Sequence, residues 1–200
     1  MIGVLLAGFG SLSLWQRYAA THRTADPAPQ TVVSHSTDEP DETPVSANAY
    51  TVPAGQPRQI IIPSANIRGF IQKVGTDQHN AIAAPNNVNL AGWYIQSAKP
   101  GDPGVSIIDA HVQGRYTPGV FKNLSKVRIG DTITVEYGDH SQRTFQVVKT
   151  DTLPVEAVSG EQYVKLPGVD RQLTLITCAG SFDKASGNYT SRTLVRAKLL

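Results

Sequence analysis

The sequence predicts an all-β domain, and three features support this fold class. From about residue 58 onward, short runs rich in β-branched residues alternate with turn residues, which is typical of β-barrels and β-sandwiches. No segment of that region carries a sustained helical period. The chain has 200 residues, of which 40% are hydrophobic, and this suffices for one domain with a sizeable core plus accessory segments.

The predicted strands are short apolar or alternating runs. In Thr132 to Tyr137, alternation places Ile133, Val135 and Tyr137 on one face. A Gly-Asp turn follows and the chain returns through Thr144 to Lys149, which predicts a hairpin. The other predicted strands are Gln59 to Ile62, Asn66 to Ile71, Val105 to Ala110, Leu173 to Cys178 and Thr193 to Leu200. Short helical turns are expected near residues 77–84 and 119–124.

Two segments precede this domain, so we expect the chain to divide into residues 1–18, 19–57 and 58–200. Met1 to Trp15 is apolar and is interpreted as a membrane anchor. No basic residue precedes the run and Arg17 follows it, the reverse of the charge bias for an exported domain. We explain this by a start site assigned too late. Thr24 to Pro57 is rich in Pro, Thr, Ser and acidic residues, so residues 19–57 are expected to form a disordered stalk.

Composition argues against several classes of partner. The net charge is +2 and the charges are scattered, without the basic stripe and interleaved aromatics of a nucleic-acid-binding protein. The sequence contains no phosphate-binding or dinucleotide-binding loop and no clustered metal ligands. We therefore expect no nucleic-acid partner, no cofactor and no metal.

Cys178 is the only cysteine of the chain. It ends an apolar predicted strand and precedes a polar loop, Ala179 to Ser191, a position typical of catalytic side chains. A cysteine nucleophile works as the thiolate and needs a base or a cation nearby. The alternative is a buried, inert thiol, since free cysteine is among the most buried residue types.

The candidate base is His111, and the candidate oxyanion donor is Arg192. Among five histidines, His111 alone follows a buried predicted strand; a structural strand-capping histidine is the alternative. Arg192 precedes the last predicted strand, and antiparallel pairing with the Cys178 strand would return it to the thiol. The other arginines considered are Arg115, Arg171 and Arg196.

These residues resemble the sortase family. The run Leu175-Ile176-Thr177-Cys178 matches the LxTC motif at the sortase cysteine. Segments 110–114 and 192–197 resemble those carrying the sortase histidine and arginine, in the same order along the chain. Segments 91–94 and 100–104 resemble class F sortases in particular. The resemblance covers residues 59–200, and Asp109 departs from the small residue usual at its position.

The resemblance implies a closed β-barrel of about eight strands and a cysteine transpeptidase at the outside of the cell membrane. Cys178 would cleave an LPxTG-like sorting signal between Thr and Gly through a thioacyl intermediate, with His111 as proton carrier and Arg192 on the oxyanion. We expect Thr177, Ile176 and Ala110 to contact the substrate. The acceptor would be an amine of a peptidoglycan precursor or a pilin lysine.

Three alternatives stay open from the sequence. A pilin-polymerising sortase differs only in its acceptor. A catalytically idle, peptide-binding barrel would keep the fold and lose the need for the histidine and arginine. A hydrolysing cysteine peptidase would pass the thioester to water. Residues 154–168 are expected either to form one wall of a substrate groove or to be an ordinary connection.

Overall fold

A closed barrel of eight strands forms the centre of the computed structural model, which describes residues 31–37, 39–184 and 187–200. Around the barrel the strands follow the order β1-β2-β3-β4-β7-β8-β6-β5. This architecture confirms the predicted all-β fold. The strands are β1 (Pro57–Ile62), β2 (Ile67–Val74), β3 (Leu90–Tyr94), β4 (Gly104–Ala110), β5 (Thr132–Tyr137), β6 (Gln142–Pro154), β7 (Arg171–Asp183) and β8 (Asn188–Leu199).

Two of the strand pairs are parallel, and they determine where the site lies. β2 pairs with β3 and β4 pairs with β7 in parallel, whereas the other six pairs are antiparallel. A parallel pair needs a crossover connection. The β4–β7 pair therefore brings the end of β4, which precedes His111, beside the strand that carries Cys178.

Side-chain alternation separates an apolar barrel interior from an outer face. On β5, Ile133, Val135 and Tyr137 point into the interior, as predicted. On β7 and β8, Leu175 and Val195 belong to the same interior cluster. Burial of such aliphatic side chains contributes roughly 1.5–3 kcal/mol each. The interior is therefore the main source of stability.

A second apolar cluster covers the outer face. Ile176 of β7 and Leu194 of β8 lie there with Val158. Val158 belongs to α1 (Val155–Glu161), a seven-residue helix that packs on β6 and β8. The sequence does not predict this helix, because seven residues are too few to display a helical period. Part of the 154–168 connection thus stands on the outer face of the barrel.

The other helical turns match expectation only in part. Two 3-10 turns are present, Pro63–Ala65 and Leu124–Lys126. The turn expected at residues 119–124 is present: the N–H groups of Lys122 and Leu124 donate to the carbonyls of Gly119 and Phe121, and the chain continues into the Leu124–Lys126 turn. The helical turn expected at residues 77–84 is wrong. There the Asp77 carboxylate accepts the backbone N–H groups of His79 and Ala81, and an Asx-type turn replaces the helical one.

The described part of the N-terminal segment lies against the barrel. Val33 is buried and exchanges backbone hydrogen bonds with β2 and Gly75. The Tyr50 hydroxyl donates to the Ile71 carbonyl at 2.7 Å, and its ring stacks on Phe70. These contacts differ from the stalk expected over residues 19–57. Single apolar side chains without periodicity anchor this segment, so the sequence pattern does not reveal them.

The proposed anchor, residues 1–18, lies outside the described residues. Within the described ranges, no helix is both long and apolar enough to cross a membrane.

Candidate active site

Cys178 and Arg192 are directly opposite each other on neighbouring strands. The antiparallel register of β7 and β8 pairs Cys178 with Arg192 and Ile176 with Leu194. Residues opposite each other in an antiparallel pair share a face, with Cβ atoms about 4.5–5.5 Å apart. Since Ile176 and Leu194 belong to the outer cluster, the thiol and the guanidinium also lie on the outer face.

The strand β7 does not end at the cysteine. It continues to Asp183, with a register irregularity between Ala179 and Phe182. Gly180 lies in this irregularity with φ of +79°, and a Cβ there would be 2.4 Å from the Thr190 hydroxyl oxygen. The predicted polar loop, Ala179 to Ser191, is therefore mostly a hairpin that extends beyond the site.

His111 follows the last residue of β4 and lies next to the cysteine strand. The parallel register pairs Asp109 with Ile176. Two further residues along each strand bring His111 level with Cys178. The His111 carbonyl accepts the Phe121 N–H at 3.0 Å, which fixes the backbone where it leaves the barrel.

A backbone carbonyl determines the tautomer of this histidine. His111 Nε2 lies 2.6 Å from the Pro85 carbonyl oxygen. Because a carbonyl can only accept, Nε2 carries the hydrogen, and Nδ1 of the neutral ring keeps the lone pair. The arrangement leaves Nδ1 as the nitrogen able to accept a proton.

Burial favours the neutral forms of both groups. It raises the pKa of the Cys178 thiol above its ordinary value of 9.0; Arg192 opposes this rise and Asp109 adds to it. Burial lowers the pKa of His111 below its ordinary 6.5, and the hydrogen bond to Pro85 opposes this. At neutral pH the resting site therefore holds a thiol and a neutral imidazole.

Arg192 is held by backbone carbonyls of its own strand. Its Nη1 donates to the carbonyl oxygens of Tyr189 and Ser191, each at 3.0 Å. A guanidinium has five N–H donors in a planar fork, so a group anchored through one terminal nitrogen retains donor capacity for a ligand. The side chain is half-buried.

The other candidate arginines lie elsewhere. Arg196 is fully buried and paired with Asp151 and Glu161. Arg171 donates to the Gly101 carbonyl at the opposite end of β7. Arg115 is exposed in the loop after His111.

The remaining histidines lie away from the thiol or outside the described residues. His140 is an exposed turn residue with φ of +64° and contacts Glu136. His79 lies in the exposed 77–81 turn, and His35 belongs to the N-terminal segment. Residue 22 is not described. Across the described ranges, no group of three or more His, Cys, Asp and Glu side chains could hold a metal ion.

The three expected substrate-contact residues divide between the two faces. Ile176 lies on the outer face with Val158. Ala110 belongs to the interior cluster. Thr177 is buried and donates its hydroxyl to the Ala110 carbonyl at 2.7 Å. The Thr177 hydroxyl thus ties β7 to the backbone of β4, and of the three side chains only Ile176 shares the face of the cysteine.

Several groups near the site were not identified from the sequence. They are the Pro85 carbonyl, the Asp109 side chain, and Tyr189, whose hydroxyl interacts with the Gln113 side chain and whose pKa is raised by burial and by Cys178. Only Asp109 had a sequence signal, since a charged residue in an apolar strand is unusual. The Pro85 carbonyl lies in a loop and Tyr189 lies at the start of β8, and no local sequence pattern places either group beside the site.

Comparison with known proteins identifies the family. A family model described as Sortase domain matches residues 60–200. The chain therefore belongs to the sortase family, whose members are cysteine transpeptidases. No curated protein sequence matches this chain.

Solved structures of sortases share the fold. A lid mutant of sortase A from Corynebacterium diphtheriae is 25% identical with a TM-score of 0.55, covering 72% of this chain and 69% of that one. The pilus-related sortase C of Group B Streptococcus is 19% identical with a TM-score of 0.56, covering 95% and 90%. Sortase C1 from Streptococcus suis is 21% identical with a TM-score of 0.55, covering 74% of each chain.

Proposed function

We propose that this sortase cleaves an LPxTG-like sorting signal between Thr and Gly and transfers the new carboxyl end to an amine of the cell envelope. The register that sets Cys178 opposite Arg192, with His111 on the adjoining strand end, is the observation that carries the proposal. Thiol, base and oxyanion donor are the three groups that acyl transfer through a thioester requires.

In the first half-reaction, the Cys178 thiolate attacks the Thr carbonyl carbon. The carbonyl electrons move to oxygen, and the oxyanion is stabilised by the Arg192 guanidinium. As the C–N bond breaks, protonated His111 gives its proton to the departing glycine amine. The product is a thioester on sulfur and a free glycine peptide.

In the second half-reaction, the acceptor amine attacks the thioester carbon. His111 takes the proton that this amine loses, and the sulfur leaves as a thiolate. A peptidoglycan precursor or a pilin lysine supplies the amine. Water at this step gives hydrolysis instead, which makes the acceptor a determinant of the outcome.

The resting protonation states impose a cost on this mechanism. The reactive pair is thiolate and imidazolium, whereas burial favours thiol and imidazole. The competent form is thus a minority species throughout the interval between the two pKa values. The rate of thioester formation should fall only outside the range 6.5–9.0, since the His111 pKa is lowered and the Cys178 pKa is raised.

The proposal extends to the location of the enzyme. Residues 1–18 anchor the chain in the cell membrane, and the barrel faces the outside, where sorting signals and wall precursors are found. The resemblance of segments 91–94 and 100–104 favours class F.

The test is intact-mass analysis of the chain incubated with an LPxTG peptide, with and without a glycine-rich or lysine amine. We expect a mass adduct on Cys178 that an amine converts to a ligated peptide. Cys178→Ala should form no adduct. Loss of every adduct from the folded wild-type chain would instead indicate an idle peptide-binding barrel.

Matched variants separate the roles of the other two groups. His111→Ala should lose at least a hundredfold in rate, whereas His140→Ala, on an exposed turn, should not. Arg192→Lys should also be damaging, because a point ammonium does not reproduce the guanidinium fork. Full activity of His111→Ala would refute the assignment of the base.

A further inference from the structure

Asp109 is a carboxyl group placed in an apolar setting beside the reacting thiol. It lies on β4 with its side chain on the outer face, paired in register with Ile176 of β7 and Gly92 of β3. The interior positions on either side of it, Ile108 and Ala110, belong to the barrel core. Asp109 therefore lies on the same face as Cys178, one strand over and about 7 Å along the strand direction.

One oxygen of this carboxyl has no partner. Asp109 Oδ1 is out of contact with solvent and forms no hydrogen bond within the described residues. Leaving a buried polar atom unsatisfied costs about 1–3 kcal/mol. The residue as a whole retains intermediate exposure, whereas Oδ1 is shielded, so a ligand on the outer face would bond this oxygen by shifting the lining of the recess.

The neighbouring strand leaves room for this carboxyl. A Cβ atom at Gly92 would be 2.6 Å from Asp109 Oδ1 and 2.7 Å from Val74 Cγ1. Any other residue at Gly92 would displace the carboxyl or the strand. The backbone of β3 thus forms a side of a small recess around Asp109.

The recess holds no compensating cation within the described part of the chain. Burial raises the pKa of Asp109 well above its ordinary 3.8, and only a hydrogen bond involving its own backbone opposes this. The ionisable neighbour is the Cys178 thiol, whose pKa the carboxyl raises. Within the described residues, Oδ1 of this carboxyl therefore lacks a hydrogen-bond donor, above all a positively charged one.

We propose that Asp109 is a specificity-determining residue that receives a basic group of the ligand, an ammonium or guanidinium, beside the reacting thiol. The inference rests on the proposed function and specifies its substrate class. Two sources supply the same chemistry: a basic side chain within the sorting peptide, or the ammonium of the incoming acceptor. A charge-assisted bond of this kind corresponds to about 10- to 100-fold in affinity or rate.

The experiment uses the full chain and follows by intact mass both the formation of the thioester and its conversion by an added amine. In one arm, lysine or norleucine replaces each position of the sorting peptide in turn, with the acceptor omitted. In the other arm the peptide is fixed and lysine amide is compared with hydroxylamine, which is uncharged at neutral pH. The variants are Asp109→Asn, Asp109→Ala and the control Asp102→Asn, an exposed carboxyl on the connection before β4.

We expect at least a tenfold preference for the basic probe in one arm, lost in Asp109→Asn and Asp109→Ala and kept in Asp102→Asn. The arm that shows the preference identifies the source of the basic group. An equal ratio of basic to neutral probe in the wild type and both Asp109 variants would overturn the inference.

A binding measurement keeps this result distinct from the proposed function. Fluorescence anisotropy measures the binding of labelled lysine and norleucine peptides to the Cys178→Ala chain, with lysine amide as competitor. This measurement requires no reaction at residue 178. An Asp109-dependent preference here, with no adduct on the wild type, would support the inference and refute the transpeptidase. Adduct formation without any charge preference in either measurement would support the transpeptidase and refute the inference.

Discussion

Arg196 tests whether the residues that stabilise this barrel are distinct from those that carry out its reaction. Its side chain is completely buried on β8, where Nη1 donates to Asp151 of β6 at 2.5 Å. Nη2 donates to the Glu161 carboxylate at 2.8 Å and to the Glu161 carbonyl at 2.9 Å. One guanidinium thus links β8, β6 and the end of α1.

Replacing Arg196 by Ala should cost about 3–5 kcal/mol, because a buried ion-pair partner and its volume are lost together. Asp151 and Glu161 keep 23% and 43% of their side-chain surface exposed. Water can therefore solvate the abandoned carboxylates in part, which favours the lower end of that range. With about 2–4 °C per kcal/mol for a chain of this size, the melting temperature should fall by roughly 6–20 °C.

The control is Arg192→Ala, four residues away on the same face. Arg192 is half-buried and bonds only to carbonyls of its own strand, so its loss should change the free energy of unfolding by no more than about 1 kcal/mol. Urea unfolding followed by circular dichroism gives both values, and thioester formation is assayed well below each melting temperature. We expect Arg196→Ala to be unstable and active, and Arg192→Ala to be stable and inactive. The opposite pattern would refute both the ion-pair argument and the assignment of Arg192 to the oxyanion.

Three further predictions concern the surroundings of the site. Gly92→Ala should destabilise the fold by about 1–3 kcal/mol, because the added methyl group would contact the Asp109 carboxyl. Thermal melting measures this change, and an unchanged melting temperature would show that β3 can shift without loss of stability. Glu42→Ala should speed hydrogen exchange of the Tyr116 amide, since the Glu42 carboxylate accepts that N–H. Unchanged exchange would show that this hydrogen bond does not order the loop. Alkylation of Cys178 by iodoacetamide should keep rising above pH 9.0, because burial raises the thiol pKa; a plateau below that pH would contradict a raised value.

Local sequence patterns predicted the strands but not their order around the barrel. The hairpin of β5 and β6 follows from alternation and a Gly-Asp turn, both local features. The parallel β4–β7 pair joins strands with two others between them in sequence. No local signal specifies such a pairing, and the family resemblance implied a closed barrel without naming its strand pairs. The strand β3 was not predicted as a strand because its five residues, LAGWY, include Gly and Ala and do not alternate.

The site was predictable to the extent that it depends on one hairpin. Arg192 was expected near Cys178 if the last two strands paired, and the register sets them opposite each other. The expected contacts at Thr177 and Ala110 depended instead on which face each side chain occupies. A shift of one residue reverses every face, and both side chains point into the barrel.

The alternation of faces explains how this barrel keeps reactive and charged groups without disturbing its core. Along β7, Leu175 and Thr177 point inward and Ile176 and Cys178 point outward. Two unusual side-chain arrangements, a thiol opposite a guanidinium and a carboxyl with one unpaired oxygen, both lie at outward positions. Substitution there changes groups that the interior packing does not contact. Specificity on the outer face can therefore change while the apolar interior, which supplies most of the stability, stays the same.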